Sequence, residues 1–209
     1  MEDTKIQWHP GFVAAMSLEF EDNRDNLIFE KEYNLNTGPL EIDLLVIKKD
    51  PNVQIVNEIG KIFRGHNIIE YKSPDDEFDV DTFYKASAYG CLYKAAGETV
   101  NERTAEYIMG SVLFPTQIIV GKELKQTSHA WLKALSDKMQ KQEMRELLER
   151  IGGLSRKYDK ELADSVLEVS IRANKQIIEE MRGDESMCEA LLEIMRPEVE
   201  KITKEIAKE

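Results

Sequence analysis

Cysteine is scarce in this chain. Cys91 and Cys188 are the two present in 209 residues, far apart and each within an apolar helical pattern. That spacing excludes a disulfide framework or a clustered zinc site, and both thiols are expected to be buried. The three histidines, His9, His66 and His129, have no ligand-like spacing, so packing or surface roles are expected of them. No stretch approaches the roughly 20 apolar residues of a membrane span. Residues 1–5 lack the apolar run that opens a secretory leader, and a cytoplasmic protein is expected. Internal repeats and low-complexity linkers are absent. Positive charge is also short, with 28 Lys and Arg against 40 Asp and Glu and a net charge of −12. Such a balance argues against non-specific coating of nucleic acid, which runs on clustered Lys and Arg. The deficit is uneven: residues 1–98 hold 10 basic and 19 acidic side chains, leaving 18 and 21 for residues 99–209.

The chain does have enough apolar residues, 42% of the total, to fill a core. Its patterns read in order as helix, strand, strand, an ambiguous segment, strand and helix, with a helical region after about Thr127. Phe12, Val13, Met16 and Phe20 recur at helical spacing behind Pro10. Leu27 to Leu35 alternates as a half-buried strand does, and Asn36-Thr-Gly-Pro39 is a turn signal before a nearly all-apolar strand, Leu40 to Ile47, so a hairpin is expected. Residues 53–63 fit helix and strand equally. After the strand that begins near Asn67, Asp79 is a candidate N-cap for a helix to about Ala96. Val80, Phe83, Tyr84, Cys91 and Leu92 are expected to form the buried stripe of that helix. Residues 111–120 read as a strand broken by Pro115. Trp131 to Ile151 is helical, and one long helix is expected from about Tyr158 to Arg182. The expected division is a core of residues 1–125 and a helical region of residues 126–209.

The chemistry-bearing stretch is Asn67-Ile-Ile-Glu-Tyr-Lys-Ser-Pro74. In a strand, residues two apart share a face, so Glu70 and Lys72 point the same way. Asp43 interrupts the apolar strand before them, where a carboxylate is costly unless paired, hydrogen-bonded or bound to a metal. Taken alone, Asp43 reads as well as the partner of a lysine or a backbone cap. If the two strands are neighbours, Asp43 and Glu70 supply hard oxygens suited to Mg²⁺, with the backbone carbonyl of Tyr71 as a further ligand. Lys72 would hold or deprotonate an attacking water while the metal polarises a phosphate. Glu-x-Lys alone carries little information and recurs at Glu123-Leu-Lys125. The setting on a strand beside Asp43 gives the first copy its weight.

The order of elements, with Asp43 in Glu-Ile-Asp-Leu-Leu-Val and Glu70-Tyr-Lys72 after Asn-Ile-Ile, resembles the PD-(D/E)XK nuclease superfamily. His9-Pro-Gly-Phe, Phe29-Glu-Lys-Glu-Tyr, the run from Glu58 to Pro74, and Phe114-Pro-Thr-Gln-Ile-Ile-Val resemble its transposase-like, recombination-promoting nuclease (Rpn-type) branch over roughly residues 8–120. The resemblance implies an α/β, restriction-endonuclease-like mixed sheet flanked by helices. It also implies Mg²⁺-dependent (or Mn²⁺-dependent) endonucleolytic cleavage of DNA, linked to transposition, recombination or defence. Asp43 and Glu70 would match the metal-binding acids, Lys72 the motif lysine, and Glu19 the acid that many members carry on the first helix. Where related nucleases carry Gln-x-x-x-Tyr on the helix after the motif, this chain has Lys85-Ala-Ser-Ala-Tyr89, with Lys85 available to a phosphate. The alternative expectation is a non-catalytic member whose helical tail mediates self-association, as a homodimer, or partner binding. The short segment from Glu98 to Gly110 motivates it.

Overall fold

A computed structural model describes residues 6–31, 44–95 and 117–181. The protein is mixed α/β, with a small three-stranded antiparallel sheet and several helices. Contacts divide it into two compact units, one drawn from Met1–Leu18 and Gly121–Glu209, the other from Glu19–Val120. The first 18 residues group with the residues from Gly121 onward.

Close packing explains that grouping. Helix α1, Trp8–Glu19, is buried at every position from Gly11 to Leu18, wider than the single stripe expected. A Cβ at Gly11 would lie 2.6 Å from Val169 Cγ2, so the glycine lets α1 approach a later helix of the same unit.

The sheet lies in the other unit. Strands β1 (Leu27–Glu30), β2 (Leu44–Lys49) and β3 (His66–Glu70) are antiparallel in the order β1-β2-β3. The expected pairing of the first two strands is present, with Glu30 opposite Val46. The turn and flanking positions 32–43, Asp43 among them, lie outside the described residues. β2 is central, and its apolar run is covered on both faces: Leu45, Val46 and Ile47 are all fully buried. Val46 faces Ile68 across the β2–β3 ladder. Their face is covered by helix α2, Val80–Ala95, through Tyr89 and Tyr93.

The ambiguous segment resolves as coil with one 3-10 turn, Ile59–Ile62. Gly60 sits within that turn against Phe20 and Ile55. A Cβ there would meet Ile55 Cγ2 and stand 2.7 Å from the Phe20 ring. Gly60→Ala is therefore expected to destabilise by about 1–3 kcal/mol through overpacking. Urea denaturation would show the loss as a lower midpoint with an unchanged slope.

Helix α2 begins as its sequence signals: Asp79 Oδ1 accepts the Thr82 backbone N–H at 2.7 Å and its hydroxyl at 2.8 Å. Its buried side differs from the expected stripe. Thr82, Tyr89, Gly90 and Tyr93 are buried, while Val80, Phe83, Tyr84 and Leu92 are exposed. Cys91, expected buried, is exposed as well; Cys188 lies outside the described residues. Tyr93 and Tyr89 turn inward where they find specific partners, the Tyr93 hydroxyl at His66 Nδ1 (2.8 Å) and the Tyr89 ring on Val46.

Hydrogen bonds from Thr82 favour the ionised form of the Asp79 carboxylate and hold its pKa below the ordinary value. A depressed folded-state pKa adds stability above the ordinary carboxyl range and loses it as pH falls through the depressed value. Asp79→Asn should keep the cap yet flatten this part of the acid limb. Comparing helical circular dichroism of the two proteins during acid titration checks it.

The C-terminal unit contains α3 (Gln126–Lys133), α4 (Lys141–Gly152), α5 (Lys157–Ala173) and α6 (Lys175–Met181). Trp131, Leu132, Leu135, Met139, Met144, Leu147, Leu148 and Ile151 are buried as their spacing implies. The single long helix expected from Tyr158 is two, separated at Asn174 (φ −123°, ψ 42°). Asn174 turns inward there. Its Nδ2 donates to the carbonyls of Ser136 (2.7 Å) and Ser170 (2.9 Å), and its Oδ1 accepts from Met139 N–H at 3.1 Å. Residues 117–120, expected to continue a strand, carry no regular structure, and residues 111–116 lie outside the described residues.

Candidate metal centre

The candidate site is at the exit of β3. The strand ends at Glu70, and a turn follows in which Ser73 N–H and Oγ donate to Asp76 Oδ2 at 3.1 and 2.8 Å. Lys72 thus stands just past the strand, not within it as expected. Its side chain still returns to Glu70, with Nζ 3.8 Å from Oε1. Glu70 is 15% exposed and Lys72 29%. At that separation the opposite charges attract without a direct short hydrogen bond.

Tyr71 is the first residue past the strand. Burial raises its phenol pKa, and the Asp76 and Asp75 carboxylates add to the effect. The ring stays neutral throughout the ordinary pH range, so the Tyr71 contribution to the candidate site is its backbone carbonyl alone.

Other expected site residues are placed as follows. Glu19, the last residue of α1, is tied to Asn57: Asn57 Nδ2 donates to Glu19 Oε1 at 3.0 Å and to its backbone carbonyl at 3.1 Å. Tyr89 is buried against Val46 and Tyr93, the helix packing that its sequence position implies for it. The ammonium of Lys85 lies 5.6 Å from the Tyr89 ring centre, within cation–π range.

Helix α2 and strand β3 keep step. Tyr93 meets His66, hydroxyl to Nδ1 at 2.8 Å, and Tyr89 meets Val46, the partner of Ile68. Four helical residues rise about 6 Å and two strand residues about 6.6 Å. One further step along α2 from Tyr89 is Lys85, and one further same-face step along β3 from Ile68 is Glu70. His66, expected in a packing or surface role, is the residue that sets this phase, and only the fold reveals the pairing.

Among the described residues, no three His, Cys, Asp or Glu side chains cluster in a way that would hold a metal. The expected set needs Asp43, which lies outside them. Its neighbour Leu44 is the register partner of Glu70.

No relative is found. Family models, curated proteins and solved structures were compared with the chain, and none matches. Among the described residues, no helix is long and apolar enough to cross a membrane.

Proposed function

We propose that the sheet-bearing unit is a metal-dependent DNA endonuclease of the PD-(D/E)XK type, with a restriction-endonuclease-like core. The observation that carries this reading is the half-buried Glu70–Lys72 pair at the end of β3, with Leu44, the residue after Asp43, directly opposite Glu70. Within that unit the order of three antiparallel strands followed by helix α2 supports it, as do the motif residues themselves.

The residues suit a hard cation. Glu70, the Tyr71 carbonyl and Asp43 would hold Mg²⁺, or Mn²⁺, through oxygen. Such an ion, when bound, supplies Lewis acidity toward a phosphodiester. Lys72, once it has given its own proton to solvent, takes one from the water it orients, and the ammonium so formed offsets the negative charge that builds on the phosphoryl oxygens. Lys85, in step with Glu70 along α2, contacts an adjacent phosphate. The site makes one geometric demand. Residues opposite each other in the ladder share a face, so Asp43 joins Glu70 only if strict alternation breaks between positions 43 and 44.

Nicking of supercoiled plasmid in Mg²⁺ tests the reading, and a protein that never nicks, with either Mg²⁺ or Mn²⁺, would end it. Lys85→Ala is expected to weaken DNA binding several-fold and to lower the slope of log K against log salt by about one; fluorescence anisotropy at graded salt measures both.

One observation favours a second reading, in which the unit binds without cutting. Five carboxylates, Asp75, Asp76, Glu77, Asp79 and Asp81, follow Lys72 within ten residues, and they oppose the approach of a polyanion. In that case the helical tail would serve self-association or partner binding.

A further inference from the structure

Every residue from Pro74 to Asp81 is exposed, and from Glu77 to Asp81 acids alternate with apolar side chains. Phe78 is 57% exposed and Val80 67%. With Phe83 and Ile118 they line a groove of about 320 Å³, and Asp79 stands at its edge. Ile118 is 60% exposed, and the following Ile119 and Val120 are exposed too. Single exposed apolar residues are ordinary, whereas several gathered on one groove offer a partner's apolar side chains a common seat.

Charge narrows the choice of partner. Asp79 lines the groove, and the exposed carboxylates Asp75, Asp76, Glu77 and Asp81 lie within three residues of its lining residues Phe78 and Val80 in sequence; Asp76 and Asp79 oxygens also hold Ser73 and Thr82. Lys72 and Lys85 are the nearest bases in the chain, so acid prevails along this edge. A nucleic-acid backbone is repelled there. A second copy of this chain, at net charge −12 and with the same acidic border, would set like charges against each other in a two-fold contact.

We propose that this groove docks a basic amphipathic segment of a partner protein, its apolar anchors between Phe78, Val80, Phe83 and Ile118 and its Lys or Arg side chains against the acidic border. Recognition of an apolar stripe in a groove with flanking charge follows established peptide-binding logic. Lys72 acts electrostatically on Asp79 at the groove's edge, but the contacts proposed use neither Glu70 nor Lys72, so the proposal stands whether or not the protein cuts DNA.

The test uses the full chain and two designed helical peptides of identical apolar pattern, one with Lys and one with Glu on the flanks. Fluorescence anisotropy should show binding of the Lys peptide, weakened by salt, and at least tenfold weaker binding of the Glu peptide. Phe78→Ser with Val80→Ser should lower Lys-peptide affinity at least tenfold; both side chains are exposed, so folding is preserved. Asp75→Asn, Glu77→Gln and Asp81→Asn together should lower it several-fold. The same number of acids neutralised elsewhere (Glu149→Gln, Glu161→Gln, Glu179→Gln) should leave it unchanged. No binding to the wild type, equal loss in the distant control, or equal affinity for the Glu peptide would overturn the proposal. So would self-association in light scattering that Phe78→Ser with Val80→Ser abolishes, because the groove would then seat a second copy.

Discussion

Lys72→Ala is expected to lower Mg²⁺-dependent plasmid nicking by roughly a hundredfold to ten-thousandfold, the range associated with losing a positioned proton-transfer group. The side chain lies at the exit of β3, beyond the last ladder residue, and is 29% exposed. Truncation therefore leaves the sheet intact, and the melting temperature should barely move. Glu70→Gln should fall as far by a different route, because an amide keeps the shape but gives up the anionic oxygen that a hard cation needs. The double variant should be little worse than either single one, since groups that act as a unit do not add. Additive losses would show that the two side chains work independently. Equal nicking by wild type and Lys72→Ala would point to a contaminating nuclease.

Asn174→Ala should produce the largest loss of stability, about 3 kcal/mol. Three buried hydrogen bonds meet at this amide. Removing it leaves the Met139 N–H and the Ser136 carbonyl without that partner in a dry setting, at about 1–3 kcal/mol for each group. Asn174 Nδ2 also bonds the Ser170 carbonyl, and Ser170 Oγ meets the Met139 sulfur at 3.0 Å. The same residues therefore tie the α5–α6 junction to the segment before α4. Chemical denaturation monitored by the tryptophans, with Trp131 buried in this unit, measures the change. A shift under about 0.5 kcal/mol, the scale of an ordinary surface substitution, would contradict this account of the junction.

Legibility from sequence followed the strength of each local signal. The central place of β2 was readable because its apolar run fits a strand covered on both faces. The cap at Asp79 was readable because short acids at helix starts have one dominant use. The buried side of α2 was not. Val80, Phe83, Tyr84 and Leu92 compete at helical spacing with Tyr89 and Tyr93, and the choice depends on His66 and Val46, distant in sequence. The break at Asn174 was hidden because polar residues within an apolar period usually face solvent, and only tertiary contact turns this one inward. Gly11 against Val169 is similar: a small residue early in the chain gains meaning only from a helix some 150 residues later. Of the candidate site, the Glu70–Lys72 proximity was legible from strand alternation, although the strand stops short of Lys72. The tie from Glu19 to Asn57 was not legible, because it joins a helix end to a segment without periodic pattern.

The most direct measurement is a titration of Mn²⁺, as a paramagnetic stand-in for Mg²⁺, followed by electron paramagnetic resonance. A site built from Asp43 and Glu70 predicts saturable binding that Mg²⁺ displaces and that both Asp43→Asn and Glu70→Gln weaken by at least tenfold. Glu19→Gln should leave it within twofold. Binding that survives both substitutions, or no saturable binding by the wild type, would contradict the metal centre.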